Sequence, residues 1–345
     1  MASSEQMAYD RQIAIWLMVC AAVIIGMILL GGITRLTHSG LSMVEWKPLM
    51  GIIPPLSEQA WMETFDKYKQ FPEYQKINLG MTLQGFKAIF MYEYLHRLLG
   101  RLIGVLFFFP FLYFAIKGRI RTGLMPKLIA LFILGALQGL LGWYMVMSGL
   151  VNDPHVSQYR LTAHLGLAVL IYAYMFWLAI DLWLPSGGVC AEPLGRYKSW
   201  STLLVGLVFL MILSGGLVAG TRAGFAYSTW PLMGNSFIPQ GLYTGSPAWI
   251  SAFEDVTTIQ FNHRMFAYLL LVVISWFSFG VYTNSGPGRA RTGAIALFAM
   301  LLIQAVLGVL NLLLHVPVAL AAAHQGGAVV LLTAALFVCH ALRRP

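Results

Sequence analysis

Eight apolar runs, each about 20 residues or longer, constrain this chain more than any other feature. They fall at about 13–33, 89–116, 126–147, 160–184, 200–221, 259–282, 292–314 and 318–342. Such a run crosses a bilayer as a helix, because hydrocarbon offers backbone N–H and C=O groups no other partner. The chain therefore reads as an all-α polytopic membrane protein with eight transmembrane helices. Its residues are 59% hydrophobic and 10% charged, which fits no ordinary soluble domain. The net charge of +9 would suggest nucleic acid in a soluble protein. Here the basic residues gather in alternate loops instead. Lys117, Arg119, Arg121 and Lys127 follow the second run, Arg196 and Lys198 precede the fifth, Arg289 and Arg291 precede the seventh, and Arg343 and Arg344 close the chain. The intervening loops at 148–159 and 315–318 carry no Lys or Arg, and that at 222–258 carries Arg222 alone. By the positive-inside rule both termini are cytoplasmic, and the partner is the lipid bilayer, not nucleic acid. The N-terminal MASSEQMAYDRQ has neither a signal-peptide h-region nor the arginine richness of a transit peptide, so a bacterial plasma (inner) membrane is expected. Cys20, Cys190 and Cys339 are scattered without metal-ligand spacing and read as structural.

The first outer loop, about 34–88, balances its charges as a solvated segment does. Pro54-Pro55 ends its first part, and Ser57 is an N-cap for a helix with Trp61, Phe65 and Tyr68 along one side. Such a helix is expected to lie on the membrane surface on this stripe, either as a lid over an outer-leaflet site or as a passive interfacial element.

The chain also repeats itself. Gly31-Gly32 with Thr34-Arg35 answers Gly215-Gly216 with Thr221-Arg222, and Trp46-Lys47-Pro48-Leu49-Met50-Gly51 answers Trp230-Pro231-Leu232-Met233-Gly234. His96-Arg97 answers His263-Arg264, Gln138 with Gly142 answers Gln304 with Gly308, and His164-Leu165-Gly166 answers His324-Gln325-Gly326. Each copy contains four crossings, so the copies run in the same direction as parallel repeats. Two four-helix bundles are expected, one at 11–184 that includes the outer loop and one at 198–342.

Of eight histidines, four lie within the spans and away from their cytoplasmic ends: His96, His164, His263 and His324. Each lies a few residues into a helix that enters from the outer side, at a shared depth of roughly 6–12 Å. Two histidines per bundle at equal depth suggest axial ligation of a flat macrocycle, a heme. A proton relay is the other reading. Zinc would want further ligands, and the second copy has no carboxylate at that depth. Small residues one turn after each histidine, Gly100, Ala168, Ala267 and Ala328, leave room for a ring or serve helix packing. Arg35, Arg97, Arg222 and Arg264 lie on the outer side, as partners for heme propionates or as snorkelling cations.

The stretch Met91 to Gly104 concentrates the chemistry. On a helix, Glu93, His96, Arg97, Gly100 and Gly104 share one face, and ionisable groups at membrane depth mark functional sites. In the second copy Glu93 becomes Gln260, Arg101 becomes Tyr268 and Gly104 becomes Leu271. A desolvated Glu93 beside His96 is expected to have a raised pKa and to transfer protons. The first bundle thus looks like the reacting site and the second like an electron store.

The segment GGITRLTHSGLSMVEWKPLMG at 31–51, EYLHRLLGR at 93–101 and FNHR at 261–264 resemble heme A synthases, which serve cytochrome c oxidase assembly. The form resembled is that of mitochondria and many Gram-negative bacteria, without the outer-loop cysteine pair of another form. The resemblance covers essentially the whole chain. It implies an oxidoreductase that oxidises the C8 methyl of heme O, by successive steps, to the formyl group of heme A. His96 and His164 would then bracket the substrate heme, His263 and His324 would ligate a resident heme b, and Glu93 would act near the methyl. Two histidines on the substrate iron leave no open position for O₂, so either one lets go or the oxidant arrives by another route. A heme O synthase is the natural upstream partner. The electron donor is unassigned, and a homo-oligomer is compatible with the sequence. A diheme b-type cytochrome passing electrons, for example from quinol, shares the four histidines but has no need of Glu93. A heme transporter and a structural assembly subunit follow.

Overall fold

A computed structural model describes residues 4–45, 52–151, 153–184 and 194–343 of the chain. The repeated motif at 46–51, Cys190 and Arg344 lie outside the described residues. Among the described residues, eight helices are long and apolar enough to cross a membrane. They are α1 (Ser4–Leu36), α4 (Leu83–Ile116), α5 (Met125–Met147), α6 (Gln158–Trp183), α7 (Gly195–Thr221), α9 (Val256–Asn284), α10 (Arg289–Leu313) and α11 (Val318–Arg343). Short helices α2 (Glu58–Tyr68) and α3 (Pro72–Lys76) occupy the first loop, and α8 (Ser251–Glu254) precedes α9.

Helix α1 packs on α4 and α6, and α5 on α6; in the second half α11 packs on α10 and α7, and α9 on α7 and α10. Contacts of α6 with α7 and of α1 with α11 join the halves. Helices α6 and α11 are the most enclosed of the eight, and α5 is the most open to lipid. Lipid tails are as apolar as leucine, so this seam depends on close approach. Glycine provides it twice, in matching fashion: Gly166 of α6 faces Leu213 of α7, and Gly326 of α11 faces Leu29 of α1. One carbonyl inside α4 needs outside help. Pro110 has no N–H for Leu106 O, and Trp16 Nε1 donates to that oxygen at 2.8 Å.

Helix α2 forms where expected, with the Ser57 hydroxyl accepting from Ala60 N at 3.2 Å. Its aromatic stripe does not rest on lipid. Helix α4 begins at Leu83, capped by Thr82, several residues before the expected start. The extension carries Phe86 and Phe90 to meet the stripe, with ring centroids 4.9 Å apart for Phe65–Phe86 and 5.0 Å for Trp61–Phe90. Tyr68 and Phe86 are fully buried there. The interfacial reading therefore fails because the stripe has a protein partner, and His96 stands more than three turns into its helix rather than near its start.

Candidate functional site

Each of the four membrane histidines lies against a glycine of the preceding long helix. A Cβ built on Gly31 of α1 would stand 3.0 Å from His96 Nε2, and one on Gly142 of α5 would stand 2.8 Å from His164 Cε1. In the second half the distances are 3.5 Å from Gly215 of α7 to His263 Cε1 and 3.0 Å from Gly308 of α10 to His324 Cε1. A side chain at Gly31, Gly142 or Gly308 would make its ring shift, whereas Gly215 stands at ordinary contact distance from His263. Gln138 Nε2 donates to His164 O at 3.0 Å, and Gln304 Nε2 donates to His324 O at 2.8 Å. These bonds fix α5 on α6 and α10 on α11 at the level of the rings. His96 and His164 lie within electrostatic range of each other, as do His263 and His324.

The donor set suits a heme. His164 Nδ1 and His324 Nδ1 are buried without a hydrogen-bond partner, while His263 Nδ1 lies 3.0 Å from Ser214 Oγ. Buried imidazole nitrogens of this kind are what an iron centre recruits, with outer partners orienting the ring. Among the described residues, no group of three or more His, Cys, Asp or Glu side chains is placed to hold a metal ion.

Glu93 is buried, as the sequence suggested, but it is not alone. Its carboxylate pairs with Arg97 at 2.5 Å and accepts from Ser42 Oγ and Met43 N, both at 2.7 Å. Arg97 also donates to Met43 O at 2.7 Å and to Glu45 O at 3.1 Å. Together they clamp residues 42–45 onto α4 beside His96. The second half keeps half of this device. Arg264 donates to the carbonyls of Tyr227, Thr229 and Leu232, and Gln260 donates to Tyr227 O. Arg97 and Arg264 thus both grip backbone carbonyls. Of the two glycines on the Glu93 face, Gly100 packs against Met27 while Gly104 borders open space.

The helix ends correct one repeat register. Counting from the glycine pairs, Thr37 matches Thr221, and each hydroxyl donates at 2.8 Å to the carbonyl four residues back. His38 then matches Arg222, and both adopt left-handed backbone, with φ 52° and 58°. Arg35 therefore falls opposite Ala219, not Arg222. Equal residue counts from Gly31 and Gly215 carry this signal in the sequence; matching Thr-Arg pairs obscured it. Ser42, Met43 and Ser214 carried no such signal.

A buried carboxyl in the loop gives a pH-dependent element. Burial pushes Glu73 up to about 7, against the lowering hydrogen bond from Tyr68 and with the charge of Glu93 raising it further. A carboxyl raised above its unfolded value of 4.5 contributes stability that is complete below pH 4.5 and lost as pH rises through about 7. Hydrogen exchange across residues 65–78 should therefore report local opening at least about tenfold more frequent at pH 8 than at pH 5. Glu73→Gln should flatten that dependence; an unchanged slope would remove Glu73 from this role.

The comparisons agree in one direction. Residues 14–336 match the family described as cytochrome oxidase assembly protein, COX15-CtaA. The chain is 53% identical over 343 residues to the heme A synthase of Nitrosospira multiformis, covering 99% of this chain and 96% of that protein. It is 52% identical to the heme A synthase of Nitrosomonas eutropha, covering 96% and 93%. It is 49% identical to that of Paramagnetospirillum magneticum, covering 97% and 94%.

Proposed function

Because this chain belongs to the cytochrome oxidase assembly protein family, we infer that it is a membrane oxidoreductase acting as a heme A synthase, converting heme O to heme A. The family implies a heme-related cofactor. Beyond this we assign His263 and His324 to a resident heme b, and His96 and His164 to the heme O substrate, with Glu93 as the carboxylate near the reacting methyl. We further divide the chain into a substrate unit, 11–184, and a cofactor unit, 198–342, with both termini in the cytoplasm.

The observation that carries this assignment is the difference between the two histidine pairs. Both pairs rest on glycines and both have an arginine that holds a loop. Glu93 has a neutral counterpart in Gln260, and Gly104 has Leu271 as its counterpart. A site that only relays electrons has no use for a buried carboxylate. A resident heme b would relay electrons one at a time between the substrate site and a redox partner. In the substrate unit His96 and His164 orient the macrocycle, and the clamped segment 42–45 keeps water from the face where Glu93 stands. Glu93 accepts protons released as the methyl is oxidised, and Arg97 steadies its charge. Delivery of heme O by a heme O synthase and assembly as a homo-oligomer complete the proposal.

Pigment extraction from cells that make heme O and express this chain tests the reading. Heme A together with a hydroxymethyl intermediate is the expected result. Heme b and unchanged heme O alone would favour a diheme cytochrome that only passes electrons.

A further inference from the structure

Arg35 lacks a partner in a place where a guanidinium needs one. Among the described residues it makes no hydrogen bond or ion pair, and the charge acting on it is that of Arg222, a like charge from the other half of the chain. The surroundings offer no relief. Arg222 donates to His38 Nδ1 at 3.3 Å, which uses that imidazole as a neutral acceptor. Burial, Arg222, Arg35 and His155, in that order, lower the pKa of His38, and no carboxylate acts on it. The nearby His155 is itself engaged with Asp153 at 2.6 Å. Arg35 is half-buried and Arg222 is exposed; the two like charges repel, and an anion held by both offsets that repulsion.

The position of Arg35 indicates which anion. It stands one turn, about 6 Å, beyond Gly31 on nearly the same face of α1, and Gly31 is the glycine that receives His96. Its counterpart by the glycine register is Ala219, so the arginine exists only above the first histidine pair. Arg97, the other cation at this site, is committed to Glu93 and to loop carbonyls. A heme on His96 would carry its propionate carboxylates at the periphery of the ring, and guanidinium binds carboxylate in a bidentate fork.

We propose that Arg35 and Arg222 form a carboxylate site, shared between the two halves of the chain, that takes a propionate of the heme O substrate held at His96. The proposal rests on the substrate reading above and extends it, because the half assigned to the resident heme contributes a residue to the substrate site.

The test titrates purified full-length protein in non-ionic detergent with heme O and with its dimethyl ester, following the absorbance of the bound heme. Wild type should bind the diacid at least about tenfold more tightly than the diester. Arg35→Gln and Arg222→Gln should each reduce that preference to under about threefold with diester affinity unchanged, and Arg35→Lys should restore part of it. Resident heme content reports folding in every variant. Equal weakening of diacid and diester would assign the arginines a structural role and overturn the proposal, as would an unchanged preference. Failure of wild type to bind heme O at all would instead overturn the substrate reading.

Discussion

Alanine in place of His263 or His324 is expected to abolish the low-spin heme b spectrum of the purified protein, leaving less than about a tenth of the wild-type band, because a heme held by two imidazoles loses both spin state and affinity with one of them. The surroundings of these residues make the expectation specific. His324 is located by Gly308 behind its ring and by Gln304 on its carbonyl, and His263 by Gly215 and the Ser214 hydroxyl. Gly308→Val should move the ring while keeping the ligand, so its spectrum should shift without disappearing. His96→Ala should leave the resident band in place, since His96 belongs to the other pair. An unchanged band in both the His263 and His324 variants would remove the resident heme from the second half.

The second large effect concerns Glu93→Gln, for which a loss of heme A formation of about a hundredfold or more is expected, the usual scale for removing a positioned acid–base group. This carboxylate has one role in the structure and a second, separable one in the proposal. One is architectural, since its oxygens hold Ser42, Met43 and Arg97 and so close residues 42–45 over the site. The other is chemical. Ser42→Ala removes a loop contact but keeps the carboxylate, so it measures the architectural share. Heme A formation near wild type in Ser42→Ala together with its loss in Glu93→Gln, at unchanged heme b content, would assign the chemistry to the carboxylate. Equal losses would make Glu93 a positioning residue for the loop, and unaffected turnover in Glu93→Gln would end the catalytic assignment.

Much of this protein was legible without a fold. Hydropathy runs depend only on local composition, so each of the eight long helices overlaps the run that marks it, though α1 and α4 begin earlier than their runs, and α2 begins after its Ser57 cap. The four histidines and Gln138, Gly142, Gln304 and Gly308 were found by comparing the chain with itself, because repeated residues mark repeated jobs. Their pairing was not legible. That Gly142 receives a ring depends on how α5 and α6 cross, and no periodicity encodes a crossing.

By itself, then, the sequence determined a polytopic helical chain, its internal repeat, and a buried carboxylate present in one copy and absent from the other. The tertiary structure alone decided what each charged group touches. Glu93 is gripped by residues about 50 positions away, the α2 stripe by an extension of α4, and Arg35 faces Arg222 across 187 positions of chain (222 − 35). Burial and periodicity are properties of a segment and can be read along it. A partner for a charge is a property of two segments, and it exists only once packing has brought them together.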